Sequence, residues 1–208
     1  MSALKTGILL VNLGTPDSPS TPDVRKYLRE FLSDPRVIDI HPVGRYMLVN
    51  LIIAPFRAPK SAKLYRAIWT ENGSPLLYYT RRQRDLLQTA LGETYHVEFA
   101  MRYQSPSLET VLQKFRENNF RKIIVLPLFP QYASATTGSV HEKIMDIISR
   151  WQTIPDIEFV NSYCDHPELI NAFAAKGATH RPETFDHILF SFHGLPQRQL
   201  RKAYPSGT

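Results

Sequence analysis

Near the start of the chain, Gly7-Ile8-Leu9-Leu10-Val11-Asn12-Leu13 is a nearly continuous apolar run closed by Gly14-Thr15-Pro16. Such a run predicts a strand buried on both faces, as in a parallel sheet. Similar runs recur at Val97 to Arg102, Lys122 to Phe129, Ile157 to Ser162 and His187 to Phe192. Between them the apolar positions switch to helical spacing. Thr21-Pro22 reads as a cap and first helical residue, with Val24, Tyr27, Leu28 and Phe31 forming one apolar face. A second helical pattern runs from Lys60 through Leu64, Tyr65, Ile68 and Trp69, and a third spans Leu76 to Leu91 and stops near Gly92. Further helices are predicted after Pro106, from Ser139 to Arg150, and from His166-Pro167 to about Gly177.

Strand and helix alternate throughout, which predicts an α/β fold with a mainly parallel sheet. Thr153-Ile154-Pro155 reads as a domain boundary. The first domain, residues 1–153, then holds three strands and their helices. The second, residues 154–208, holds two strands, one full helix and a short tail, which leaves a buried-type strand with an unpaired edge. The expectation is a second domain that is incomplete in this chain. A faint echo links residues 8–16 to residues 188–196: each is an apolar strand followed by Gly-x-Pro.

Composition narrows the partners. The 208 residues carry a net charge of +6, with a pI near 9.5. The basic residues are scattered, and the tightest pair, Arg81-Arg82, lies in a helical pattern. Nucleic-acid binding needs a basic patch or stripe, so it is not expected. Cys164 is the single cysteine, too few for a disulfide, a zinc site or an iron–sulfur cluster within one chain. That fits a reducing compartment, and a cytoplasmic location is expected. The apolar stretch Tyr46 to Phe56, bracketed by Pro42 and Pro55, is too short to cross a bilayer.

In open α/β sheets, ligands bind beyond the carboxyl ends of the strands. The residues placed there are Asn12, Leu13, Gly14 and Thr15, then Arg102 and Tyr103, then the loop Pro130 to Gly138, then Ser162 and Tyr163, and finally His193. This rim offers an imidazole, a guanidinium and several hydroxyls, with no carboxylate. A histidine titrates near neutral pH as a residue type, so His193 suits a base, a metal ligand or a structural role. The loop leading into Ser139 suits either an anion or plain helix capping, and it lacks the phosphate-binding G-x-x-x-x-G-K-[ST] pattern.

Leu189-Phe190-Ser191-Phe192-His193-Gly194-Leu195-Pro196 resembles the ferrochelatase signature, a strand ending in S-x-H-[GS]-[LIVM]-P. Tyr204-Pro205, Gly7 to Pro16, Gly73-Ser74-Pro75-Leu76 and Phe129 to Ser139 are similar to other segments of that family, in the same order along the chain. The resemblance implies two Rossmann-like domains around a porphyrin cleft, and insertion of ferrous iron into protoporphyrin IX in haem biosynthesis. It implies that His193 binds metal and removes pyrrole protons. It implies that Leu13 touches the macrocycle, that Arg57, Lys60, Tyr65 and Ser74 hold the propionates, and that Arg102 and Phe129 line the cleft. Residues 41–58 match the lip over the cleft, with 46–56 implied to rest on a membrane surface. The partners implied are a porphyrin and Fe²⁺. No resident cofactor is expected, because the cysteines that hold a [2Fe–2S] cluster in some members are absent. The family's catalytic glutamate lies in a C-terminal part that this chain does not contain, so weak porphyrin binding and little insertion are expected of these 208 residues alone.

Two rival readings remain, and a third is set aside. A cobalt chelatase of the same fold would share the histidine. A non-catalytic tetrapyrrole-binding fragment would bind without turnover. A serine hydrolase using Ser191 and His193 fails on geometry, since no G-x-S-x-G elbow is present.

Overall fold

A computed structural model describes residues 6–203. The chain divides into two compact units, residues 1–161 and residues 162–208.

The first unit is built on a four-stranded sheet in the order β2-β1-β3-β4. Its strands are β1 (Thr6–Gly14), β2 (Tyr95–Tyr103), β3 (Lys122–Pro127) and β4 (Asp156–Phe159). Every pairing is parallel. Strand β1 takes the central place its apolar run predicts, pairing Ile8 with Val97 on one side and Ile124 on the other. Because side chains alternate across a strand, β1 feeds two cores. Leu9 and Val11 pack with Ala100, Ile123 and Val125 beneath α5 (Leu108–Glu117) and α6 (Ser139–Ile148). Ile8 and Leu10 pack with Val97, Phe99 and Met101 beneath α4 (Pro75–Leu91). The result is a parallel sheet covered on both faces.

The expected boundary near residue 154 is therefore corrected. Strand β4 pairs with β3 from Lys122↔Asp156 to Val125↔Phe159 and belongs to the first unit. The strand predicted there to Ser162 stops at Phe159.

A third core joins α1 (Thr21–Ser33) to the long helical stretch after it. Val24, Tyr27, Leu28 and Leu32 meet Val49, Ala58 and Ala62, with Tyr103 at their base. Helix α1 starts one residue before the predicted position. Ser20 is the cap, and its hydroxyl accepts the Asp23 N–H at 3.3 Å. The stretch from Pro42 to Ile68 is helical throughout: α2 (Pro42–Met47), a π-helical turn (Leu48–Ile53) and α3 (Ala54–Ile68). Pro55 does not end it. Proline has no N–H to give to the preceding turn, and the π turn absorbs the mismatch, with the Ala54 N–H bonding Val49 O five residues back. Pro59 lies within α3.

The second unit contains α7 (Pro167–Ala178), a 3₁₀ turn (Pro182–Thr184) and α8 (Gln197–Ala203). The predicted strand His187 to Phe192 has no regular secondary structure, and Leu189 is 93% exposed. A strand exists through its ladder, and no described segment pairs with this one. The echo between residues 8–16 and 188–196 thus joins a strand to a segment that is not one. Tyr204-Pro205 lies outside the described residues.

Candidate functional site

The carboxyl ends of β1, β2 and β3 gather the polar side chains of the first unit. At the end of β1, Gly14 has φ +121°, and a Cβ there would lie 2.1 Å from the Tyr103 carbonyl oxygen. Only glycine lets β1 and β2 approach this closely while turning the chain away. The turn delivers Thr15, whose hydroxyl donates to Ser74 Oγ at 2.9 Å, both residues being buried. Asn12 Nδ2 donates to Thr80 Oγ1 at 2.9 Å. Strand β1 is thereby tied to the first turns of α4.

The densest polar cluster centres on Asp34, the C-cap of α1. Its Oδ2 accepts from Arg102 Nη2 at 2.7 Å, Tyr103 Oη at 2.8 Å and Ser139 Oγ at 2.5 Å. Its Oδ1 accepts the Arg36 N–H at 2.7 Å. Arg102 Nε also donates to the Ser139 hydroxyl and carbonyl. Burial opposes the Asp34 charge. The bonds from Ser139, Arg36 and Tyr103, with the Arg102 cation, outweigh burial and hold the carboxyl below its usual range. Burial pushes the Tyr103 phenol well above its ordinary value, so it stays a donor. Beyond Asp34, Arg36 reaches Glu142 at 2.6 Å and Ser134 at 3.0 Å. One cluster thus locks the end of α1, the end of β2 and the start of α6.

This corrects the carboxylate-free rim expected from the sequence. Asp34 stands among the rim residues, contributed by α1 rather than by a strand end. Its local signal was weak: an acid beside Pro35 at a helix terminus reads as an ordinary turn.

Next to the cluster, Tyr103 meets Phe31 edge-on, Phe31 stacks on Tyr27, and Tyr27 meets Tyr65 edge-on, with ring centroids 5.2, 5.8 and 6.2 Å apart. Tyr65 meets Trp69 in the same way at 6.4 Å. Burial raises the Tyr27 phenol far above its ordinary value and the Tyr65 phenol less so.

The sequence-derived site residues fall into five groups. Leu13 and Tyr65 share the apolar core that holds α1 and α3, both half-buried. Arg57 and Lys60 are exposed on α3, three residues apart and hence on one side of it, and no ion pair engages them among the described residues. Arg102 and Ser74 are committed inside the protein, to Asp34 and Thr15 respectively, and do not join the exposed cations. Phe129 packs half-buried against the core under α5 and α6. His193 lies in the second unit, exposed.

The lip segment has two sides. Val49, Ala54, Ala58 and Ala62 are buried. Tyr46, Met47, Leu51, Ile52 and Phe56 are exposed, Phe56 by 79%. Among the described residues no helix is long and apolar enough to cross a membrane, and no cluster of three or more His, Cys, Asp or Glu could hold a metal ion.

A family model described as Ferrochelatase matches residues 5–207. A ferrochelatase of Legionella pneumophila (strain Corby) is 44% identical over 200 residues, covering 96% of this chain and 60% of that protein. One from Methylococcus capsulatus is 47% identical over 209 residues, covering 98% of this chain and 63% of its own length. One from Alcanivorax borkumensis is 43% identical over 207 residues, covering 97% and 61%. The chain therefore spans about 60% of the length of the curated relatives it matches.

Proposed function

The chain belongs to the ferrochelatase family, and on that premise we propose that it serves to insert ferrous iron into protoporphyrin IX, the step that makes haem. The observation that carries the reading, besides family membership, is the pairing of an exposed apolar lip with two cations, Arg57 and Lys60, on the same helical stretch, which no ion pair engages among the described residues. A porphyrin is a flat apolar ring with two carboxylates at one edge. An apolar face beside two cations matches that outline.

The chemistry assigns distinct tasks. A free porphyrin carries two pyrrole protons, and both must leave as the metal enters. In a flat ring the nitrogen lone pairs point inward, so a bent ring accepts a metal more readily. Apolar walls and anchored carboxylates stabilise the bent form. Arg57 and Lys60 anchor the propionates. Leu13, Tyr65 and Phe129 support the apolar wall from their half-buried positions. Ser74 and Arg102 act through Thr15 and Asp34, fixing the strand ends rather than meeting the substrate. The exposed imidazole of His193 supplies a base and an Fe²⁺ ligand. Iron enters as a substrate. No resident cofactor is assigned, since Cys164 stands alone.

Within this reading the protein works in the cytoplasm, and the lip face of residues 46–56 also meets the inner surface of a membrane. Vesicle co-sedimentation tests that contact. Phe56→Ser together with Leu51→Ser should reduce it, and unchanged binding would exclude the lip.

The central test is a fluorescence titration with protoporphyrin IX and with its dimethyl ester. Replacing both Arg57 and Lys60 by Ala should weaken binding of the free acid roughly tenfold and leave the ester unaffected. Equal affinity of parent and variant for the free acid would sink the assignment. In the complete protein, assayed with zinc and a soluble porphyrin, His193→Ala should abolish insertion and preserve binding. Turnover of cobalt with a corrin precursor in place of iron and porphyrin would favour the cobalt chelatase, and tight haem binding without insertion the non-catalytic fragment.

A further inference from the structure

Strand β2 is an edge of the four-stranded sheet, with β1 on one side only. An edge strand exposes N–H and C=O groups that template pairing with another chain. Along a strand, the N–H and C=O of one residue point the same way and alternate from residue to residue. The outward residues of β2 are therefore the odd ones from Tyr95 to Met101, and three of them, Tyr95, Val97 and Met101, are covered.

Gln88 reaches over from α4. Its Nε2 donates to Tyr95 O at 3.0 Å, and its Oε1 accepts the Val97 N–H at 2.7 Å. One carboxamide thus makes the two bonds that a neighbouring strand would make. A further bond from Nε2 to Gly92 O at 2.7 Å holds the side chain in place. At the other end, the Met101 N–H donates to Pro106 O at 2.7 Å, and Met101 bridges Ser107 in parallel. The edge is closed by backbone at Met101 and by one side chain at Tyr95 and Val97.

We infer that β2 is a latent pairing surface for β2 of a second copy of this chain, and that Gln88 is the plug that keeps it closed. The segment Tyr-His-Val-Glu-Phe is rich in β-forming residues and holds neither Gly nor Pro. Of the antiparallel registers that bring outward residues opposite one another, three are centred between Val97 and Phe99. Pairing Phe99 with Phe99 needs Met101, which Pro106 already occupies. Pairing Val97 with Phe99 sets Glu98 against Glu98, which like charge disfavours. Pairing Val97 with Val97 needs the Val97 N–H and the Tyr95 carbonyl that the plug occupies, sets His96 against the second copy's Glu98, and sets Tyr95 against Phe99. Of these three, only this register is complementary in charge and shape. Within one copy His96 Nε2 lies 3.5 Å from Glu98 Oε1, and Lys114 Nζ lies 3.6 Å from the same oxygen.

The test is the solution mass of the chain by light scattering. Gln88→Ala removes the plug, and Gln88→Asn shortens its reach by one methylene while keeping an amide on the helix. Both should raise the mass toward twice the parent's at concentrations where the parent is unpaired. Adding His96→Glu to Gln88→Ala should weaken the dimer by about fivefold, because it sets two acids against each other at each end of the pairing. A mass unchanged from the parent in both plug variants overturns the inference. So does a dimer indifferent to His96→Glu. Loss of the folded circular-dichroism spectrum in both plug variants overturns it too, since Gln88 would then hold the fold and not the edge.

Discussion

Residues 7–13 and 187–192 carry nearly the same local message, an apolar run ending at Gly-x-Pro, yet they become different structures. The first lies between two parallel partners, with Leu9 and Val11 fully buried. The second has no partner among the described residues, and Leu189, Phe190 and Phe192 stand exposed. No residue from Ser162 to Lys202 is buried. An apolar run supplies the propensity for a strand, but only a ladder and covering helices supply the free energy. The first unit should therefore respond to single substitutions as a cooperative body, and the second should not.

The sharpest way to break that contrast is Asp34→Ala. Asp34 is 5% exposed, and its loss strands the Arg102 guanidinium, whose side chain is 13% exposed. Removing one member of a buried pair costs about 3–5 kcal/mol. Thermal denaturation of Asp34→Ala should show a loss of that order, and Asp34→Asn a smaller one. A loss under about 1 kcal/mol would mean that the cluster is dispensable. The same group sets a pH dependence. Its pKa is lowered in the fold, so the unfolded chain binds the proton first as pH drops. Its stabilisation is complete above the ordinary carboxylate range and is lost as pH falls through the lowered native value. His141, lowered by burial and by Arg36, works in the same direction: stability declines as pH falls below the ordinary histidine value. Denaturant midpoints measured down a pH series should fall from near neutrality, and a midpoint that rises over that range would contradict both assignments.

A smaller effect compares the two apolar runs directly. Leu9→Ala leaves a cavity in the core beneath α5 and α6 and should cost about 2–5 kcal/mol. Leu189→Ala should fall within about 0.5 kcal/mol of the parent. Equal losses at the two positions would show that the second segment is packed as the first is.

The parts legible in sequence are those decided by neighbours along the chain. Strand β1 was readable because a run apolar at odd and even positions alike needs cover on both faces. Helix α5 was readable because Leu108, Val111, Leu112 and Phe115 fall on one face, and all four are buried. The misses depended on distant partners. Asp34 meets Arg102 and Ser139 across 68 and 105 residues of sequence, so neither its burial nor the commitment of Arg102 has a local signal. Pro55 read as a boundary because the rule against proline assumes α-helical spacing, and the π turn changes that spacing. The place of β4 depended on whether Ile157 found Ile123, which the Pro155 beside it could not reveal.

The smallest expected effect tests the comparison at the level of single helix caps. Ser20 caps α1 through the Asp23 N–H, and α1 is welded into a core by Val24, Tyr27 and Leu28. His166 caps α7 through the Glu168 N–H at 3.3 Å, and α7 buries no residue. The two caps offer similar local bonds, so the difference lies in what each helix is attached to. Ser20→Ala should lower the stability of the whole first unit by about 1 kcal/mol, seen as a shift of the main thermal transition. His166→Ala should leave that transition in place and speed amide hydrogen exchange within α7 alone, because α7 buries no residue. A main transition that moves equally for both variants would show one cooperative body where the burial pattern describes a packed unit and an exposed one.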